Sequence, residues 1–369
     1  MYRIVKYIIW FACLLVVTEV SAAVNVALIT PLNGEKSNIG KEITSGVRVA
    51  IDEINNQGGL NGEKLNLIEI EDTCDDNFSV STAQMLALNK DSEYMPSVVI
   101  GPYCTNQLQK VSDAFAKAKI LQIIPTAISQ SNINTNPAGL IKMVGYKEQQ
   151  ANDFFLFYDK YFNWTNAVVV FDNNNKEVAQ AVSNAFTEKE KQHKIALFSF
   201  EDDDFDYTTI AQKVLSSGAQ IAFILGNEHN VTNLAKKIKS EKRKFIIMVN
   251  KYQVSKDFIQ SIDETDNGYF FIDLPSLKNN PEFTETLVNL RLLGIEPEGL
   301  AVYGYSAVRL WADLVRKVES FDYSAMENIL KNSSFKSGWE KLMFSSGNPL
   351  NTANYSIYKM ENGEYTQVY

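Results

Sequence analysis

The chain has 369 residues, of which 45% are hydrophobic and 21% charged, and carries a formal net charge of −9. That length suits two domains at roughly 100–200 residues each, and the apolar fraction excludes a disordered chain. The acidic balance excludes the electrostatic footprint of a nucleic-acid or anionic-lipid binder.

The first residues differ from the rest. Arg3 and Lys6 make a positive start, Tyr7 to Val17 is an apolar run, and Val20-Ser21-Ala22-Ala23 supplies small residues at a cut site. This is the layout of a secretory signal peptide over residues 1–22, cleaved after Ala22 or Ala23. An uncleaved anchor is the competing reading, but a span needs ~20 apolar residues and Thr18-Glu19 interrupts this one. Cys13 follows Trp10-Phe11-Ala12, too bulky for a good lipoprotein site. The mature chain then holds 33 basic and 43 acidic side chains, a net charge of −10, and reads as a soluble monomer. It keeps Cys74 and Cys104. An even pair in an oxidising compartment reads first as a disulfide, with free thiols as the alternative. Those two cysteines with His193 and His229 make a poor zinc set, so no metal and no cofactor is expected.

From Val24 onward strands and helices alternate. Val24–Thr30 reads as a buried strand, and Gly40–Asn56 as a helix with Ile43, Val47, Ile51 and Ile54 on one face, closed by Gly58-Gly59. Strand Leu65–Ile70, helix Val80–Asn89, strand Ser97–Gly101, helix Asn106–Lys119 and strand Ile120–Ile124 follow. A second series runs through helix Glu148–Phe162, strand Ala167–Phe171, helix Glu177–Gln192 and strand Ile195–Phe200. It continues with helix Tyr207–Ser217, strand Ile221–Gly226, helix Val231–Ser240 and strands Phe245–Val249 and Tyr269–Ile272. Helices Pro281–Leu293 and Leu300–Val318, strand Leu342–Phe344 and a hairpin of Tyr355–Met360 with Tyr365–Val368 close the chain. The alternation predicts α/β architecture: two similar doubly wound parallel-sheet halves.

Particular residues carry a family resemblance. Gly46, Ala50-Ile51-Asp52-Glu53-Ile54-Asn55, Gly58-Gly59-Leu60-Asn61-Gly62 and Glu71-Asp72 stand at one family's spacing of helix, glycine turn and acidic strand end. The glycines permit the positive φ of a helix stop and tight turn, and Leu60 can plug back onto the core. Val99-Ile100-Gly101 with Tyr103-Cys104-Thr105, Ile124-Pro125-Thr126, Asp206-Tyr207, and Phe344 with Gly347 extend the match over nearly the whole mature chain. The chain resembles the type I periplasmic solute-binding proteins, in particular the leucine-isoleucine-valine binding proteins of ABC transporters. That resemblance implies two lobes joined by a three-crossover hinge, divided as 23–144 plus 275–343 and 145–274 plus 344–369. It also implies a periplasmic location, an inner-membrane ABC permease as partner, a small-molecule solute in the cleft, and a Cys74–Cys104 disulfide.

Strands of a parallel sheet point their carboxyl ends at the ligand crevice. Thr105 and Asn106 fall at such an end, and as openers of a helix their N–H groups could receive a carboxylate. The alternative for Thr105 is an ordinary helix N-cap. The resemblance adds Thr126 and Ser129 on the facing loop, although its hydroxyl-bearing position aligns with Ile128. In the second lobe the covering aromatics align near Lys176 and near Asn227 or Glu228, and the ammonium-pairing acid near Asn250 or Lys251. A lysine there would repel an ammonium; Lys176 and Lys251 read equally well as solvated loop charges. Two ligand readings stay open. A zwitterionic amino acid would use Thr105 and Ser129 with Glu228 or Asp172, whereas an anionic or amide-like solute would use Lys176, Lys251 and the Thr105 helix end.

Other features carry less. Glu201-Asp202-Asp203-Asp204 lacks the alternating spacing and central glycine of a calcium loop, and Asp206 beside it suits a helix cap. Tyr303, Tyr305 and Trp311 read as core packing, and Lys236–Lys244 as a helix face and its exit. No catalytic serine elbow, Walker loop or dinucleotide fingerprint is present, so a binding role is expected rather than an enzyme. Solute capture for import is the leading reading, and presentation of a bound solute to a membrane receptor the alternative. Sequencing the amino terminus of the exported form should begin at Ala23 or Val24; an intact Met1 would refute cleavage.

Overall fold

The computed structural model describes residues 23–369 apart from 35, 89–93, 163–165, 190–193, 202–205, 243, 252–257, 260–261, 263–267, 277–280, 282–283, 296–298, 333–334, 337–342, 346–347, 350–354 and 362–363. The export segment, His193, Asp202–Asp204, Gly347 and the hairpin turn Asn362-Gly363 lie outside the described residues.

Strands β1 (Val24–Thr30), β2 (Leu65–Glu71), β3 (Pro96–Ile100), β4 (Leu121–Ile124) and β5 (Leu140–Lys142) pair in parallel in the order β2-β1-β3-β4-β5. Strands β6 (Asn166–Asp172), β7 (Lys194–Phe200), β8 (Ile221–Leu225), β9 (Ile246–Asn250) and β10 (Tyr269–Asp273) repeat that order as β7-β6-β8-β9-β10, again parallel. The central strands are near-continuous apolar runs, such as Ile221-Ala222-Phe223-Ile224-Leu225, because helices cover both faces. The architecture is therefore α/β with two parallel-sheet lobes. Short strands β11 (Phe335–Lys336), β12 (Met343–Ser345) and β13 (Asn348–Pro349) form a small antiparallel sheet. The final hairpin, β14 (Ser356–Glu361) and β15 (Glu364–Gln367), joins the second sheet, β14 antiparallel to β10.

The helices are α1 (Ser37–Asn56), α2 (Asp76–Leu88), α3 (Leu108–Ala118), α4 (Gln149–Phe162), α5 (Lys176–Lys189), α6 (Tyr207–Ser216), α7 (Glu228–Glu241), α8 (Thr284–Leu292), α9 (Leu300–Val318) and α10 (Tyr323–Asn332). The sequence reading missed β5, the two-residue strands β11 and β13, and α10. β5 is only three residues long, and α10 shows its buried Met326 and Leu330 too briefly to establish a period. The turn after α1 follows expectation: Gly58, Gly59 and Gly62 all have positive φ, and Leu60 is fully buried beneath them.

Helix α9 returns to the first sheet and packs on α1. Backbones meet there without side chains between them. A methyl group on Gly46 would overlap the carbonyl oxygen of Ala301, and one on Gly304 would overlap that of Ile43. Around this contact Tyr305 Oη donates to Glu53 Oε2 at 2.7 Å and Asn289 Nδ2 donates to Glu53 Oε1 at 3.2 Å, linking α1, α8 and α9. Burial, with Glu53 beside it, pushes the Tyr305 hydroxyl up to about 12. Tyr303, Tyr305 and Trp311 are buried, as core packing requires. The second lobe centres on α4, whose Phe154 ring lies 5.0 Å from Phe223 and 5.7 Å from Phe186.

The chain passes between the sheets after β5, after β10 and again before β14. Near the last passage, β13 at Asn348–Pro349 lies beside β5 of the first sheet. Tyr358 on β14 ties two crossings together: its hydroxyl accepts from Ser276 N at 2.7 Å and donates to Leu274 O at 3.0 Å. Asp153 on α4 accepts from Tyr355 N at 2.8 Å, and burial pushes that carboxyl up to about 6.

The loops leaving β2 and β3 are fastened by a Cys74–Cys104 disulfide with Cα atoms 5.2 Å apart. The buried Asp72 carboxylate spans the same two loops, accepting from Cys74 N at 3.1 Å and Cys104 N at 2.8 Å. Burial raises its pKa, partly offset by these amide donors and by Lys36. Glu71 holds the loop after β1 in turn, accepting from Leu32 N and from Asn33 Nδ2.

Gly46→Ala should lower stability by about 1–3 kcal/mol or more through overpacking, measured by urea unfolding, while Lys41→Ala on the exposed face should leave it unchanged. Alkylation of the unreduced mature protein should label neither Cys74 nor Cys104. Replacing both cysteines by serine should cost roughly 3–4 kcal/mol, the chain-entropy value for a loop of about 30 residues.

Candidate functional site

Each sheet reverses the direction of its strand order at one point, between β1 and β3 in the first and between β6 and β8 in the second. Loops at such switch points splay apart and leave a crevice outside the strands' carboxyl ends. All the candidate residues stand at these ends. Thr105 and Asn106 follow β3, Thr126 and Ser129 follow β4, Lys176 follows β6, Asn227 and Glu228 follow β8, and Lys251 follows β9.

On the first sheet the two loops touch. Thr105 is buried, and its Oγ1 accepts from Asn132 Nδ2 at 3.1 Å. A hydroxyl that accepts from an amide keeps its own proton to donate. Thr126 is 6% exposed, and its Oγ1 has no hydrogen-bond partner among the described residues. Ser129 is also buried and precedes the short turn Gln130–Asn132. Three buried hydroxyl side chains thus stand on adjoining loops, a neutral donor set suited to a carboxylate. Thr105 and Asn106 do not open the helix as expected. Helix α3 begins at Leu108, with Gln107 at φ −108 and ψ 26 before it, and Leu108 N donates to Thr105 O at 3.0 Å. Asn106 is exposed. The helix-end reading of this pair therefore loses its geometric basis, while the Thr105 hydroxyl keeps its place.

On the second sheet the candidates divide. Asn227 caps α7, its side chain accepting from Asn230 N at 2.9 Å, and Glu228 is exposed in the first turn. Lys176 is the exposed first residue of α5. Lys251 lies 3.4 Å from the buried Asp273 carboxylate, so its charge is already matched within the protein. Asp206, by contrast, is a helix cap as the sequence indicates, accepting from Thr208 N and Thr209 N at the start of α6. The Thr209 hydroxyl and amide hold its carboxyl below the ordinary range.

Two further residues stand near these strand ends. Asp172, at the end of β6, is 3% exposed and accepts from Asn175 Nδ2 at 2.7 Å. A methyl group on Gly226, after β8, would lie 3.6 Å from Asp172 Oδ2, so the carboxylate stands beside the neighbouring strand's end. Lys147 lies on the first crossing, beside the Thr126–Ser129 loop, and donates its N–H to Ile128 O at 2.8 Å. Its pKa is lowered by burial and then by Lys36, and raised by Glu148, Glu177 and Asp172, so its ammonium lies in the field of groups from both sheets. Gln130 N donates to both carboxylate oxygens of Glu148, at 3.0 and 3.2 Å, clamping the crossing to the first lobe. Lys147 lies two residues past Gly145 in a run without periodicity, so nothing local in the sequence marked it. Asp72, Cys74 and Cys104 bring potential metal-ligand atoms within 4.8 Å, but the sulfurs are bonded to each other and the carboxylate is engaged by two amides.

No described helix is long and apolar enough to cross a membrane. Among known proteins, an amino acid binding protein of Pseudomonas aeruginosa is 20% identical over 362 residues, covering 95% of this chain and 94% of that one. A Leu/Ile/Val-binding protein homolog of Brucella melitensis is 23% identical over 344 residues, covering 93% and 91%. Among solved structures, the substrate-binding protein LivJ of Streptococcus pneumoniae, in complex with isoleucine, superposes with a TM-score of 0.77 at 17% identity, covering 93% of this chain and 97% of that one. A solute-binding protein of an ABC transporter from R. palustris, in complex with benzoate, superposes at 0.76 and 15% identity, covering 94% and 95%. The family model described as periplasmic binding protein matches residues 23–364. With two like-ordered sheets, a crevice at their switch points and a family match over almost all the described chain, the protein belongs to the periplasmic binding protein family.

Proposed function

We propose that this chain is the extracytoplasmic solute-capturing component of an ABC importer, and that it closes its two lobes over a small polar solute, an amino acid or related carboxylate. The observation that carries this reading is the pairing of two β2-β1-β3-β4-β5-type sheets whose switch-point loops hold complementary groups. Thr105, Thr126 and Ser129 supply donors on one side, and Asp172 supplies a buried carboxylate on the other. Donors suit the carboxylate of an amino acid and a carboxylate suits its ammonium. The relatives named for amino-acid binding support that class of solute.

Lobe closure follows the hinge mechanism of binding proteins. We assign 23–144 and 275–349 to the first lobe and the remainder of the mature chain to the second, with crossings near Tyr146, Leu274 and the segment before Tyr355. A crossing fixed at each end, as by Glu148 to Gln130 and Tyr358 to Leu274, bends between its anchors and leaves each sheet intact. The closed form is the one an inner-membrane permease would select. The residues proposed to act bind rather than react: none of them pairs a nucleophile with a base.

Thermal unfolding of the mature protein against a panel of L-amino acids, their amides and dicarboxylates tests the reading. A solute at 100 times its Kd should add about 2.7 kcal/mol of stability and raise the Tm. A flat response across the whole panel would remove the proposal.

A further inference from the structure

Lys147 is a charge the fold has gone some way to bury and has not paired among the described residues. Its backbone is fixed, through the bridge between Tyr146 and Ile128 and the Lys147 N to Ile128 O bond of 2.8 Å, beside the loop that carries Thr126 and Ser129. Its side chain is half-buried, and its ammonium makes no ion pair with the described residues. The charged groups around it come from several elements: Lys36 on the loop after β1, Glu148 on its own segment, Glu177 on α5 and Asp172 at the end of β6. Lys36 itself points its Nζ at the disulfide, 3.7 Å from Cys74 Sγ, so the cation nearest in chemistry adds repulsion rather than relief. The three carboxylates act at a distance beyond an ion pair.

We propose that Lys147 pairs with a carboxylate of the bound solute, and that the site therefore takes a solute with two carboxylates, an acidic amino acid or simple dicarboxylate, in preference to a branched-chain amino acid. This rests on the solute-capture reading above. The hydroxyls of Thr105, Thr126 and Ser129 are neutral donors sufficient for one carboxylate. Lys147 is a further, cationic donor on the hinge side of the same loops. When the lobes close and water leaves, an alkyl group facing Lys147 would strand an ammonium in a low-dielectric space. A second carboxylate would instead make a charge-assisted hydrogen bond with it. Asp172, on the opposite sheet, would then meet an ammonium if the solute has one.

Titration calorimetry of the mature protein with L-glutamate, succinate, L-glutamine and L-leucine decides the matter, repeated on Lys147→Gln and Lys147→Arg. The wild type should bind L-glutamate or succinate at least ~10-fold more tightly than L-leucine, the margin one charge-assisted contact supplies. Lys147→Gln should weaken the two-carboxylate probe by a factor of ~10 or more and move L-leucine by less than about twofold, while Lys147→Arg retains most of the affinity. The Tm of each variant without solute shows that it is folded. Equal binding of L-glutamate and succinate by wild type and Lys147→Gln would overturn the inference, as would a wild type that prefers L-leucine. Either of those results leaves solute capture standing, whereas failure of every solute in the thermal panel sinks both.

Discussion

The contact on which the rest depends is the one between α1 and α9, where Gly46 and Gly304 let two helix backbones touch. These helices lie some 250 residues apart in sequence, and a side chain at either glycine would hold them apart. Because α9 must reach α1, the chain returns to the first sheet after building the second, and the hairpin β14–β15 then returns to the second. Neither lobe is a continuous piece of chain. The chain therefore crosses between the lobes more than once. The cleft between the sheets is a consequence of this contact.

Charge is used differently on the two sides of that cleft. In the first lobe the buried Asp72 holds the Cys74 and Cys104 loops, and the buried side chains Thr105, Thr126 and Ser129 on the loops after β3 and β4 are hydroxyls. In the second lobe Lys251 is matched by Asp273, while Asp172 stands at the switch point. Lys147, on the crossing itself, makes no ion pair with the described residues and lies in the field of Glu148, Glu177 and Asp172. The departures from the branched-chain pattern noted in the sequence thus acquire different meanings. Lys251 is internally compensated and Lys176 is exposed.

Much of the fold was legible because its signals are local and strong. Val24–Thr30 and Leu300–Val318 have the bounds that their apolar runs and helical period indicate. The Gly58–Gly62 turn could be read because only glycine enters positive φ cheaply. Elements with little room to show a period were missed, β5 with three residues and α10 with ten. The start of α3 was misplaced because Thr105 and Asn106 are both good capping residues, yet Asn106 is exposed and Thr105 accepts from Asn132, a residue from the next loop. A capping preference is local, and a tertiary partner overrode it.

What the sequence determined by itself is the class of molecule: an α/β chain of two like series, with export layout, an even cysteine pair and first-lobe loops rich in hydroxyls. Each of these depends on residues a few positions apart, where period, turn chemistry and composition act directly. Only the tertiary structure decided which charges are available at the cleft. Whether Lys251, Lys176 or Lys147 has an unmatched ammonium depends on Asp273, on exposure and on Ile128, residues brought near by sheet order and crossings rather than by sequence spacing. Electrostatic energy depends on distance and burial in three dimensions, and neither quantity is written in the order of the residues.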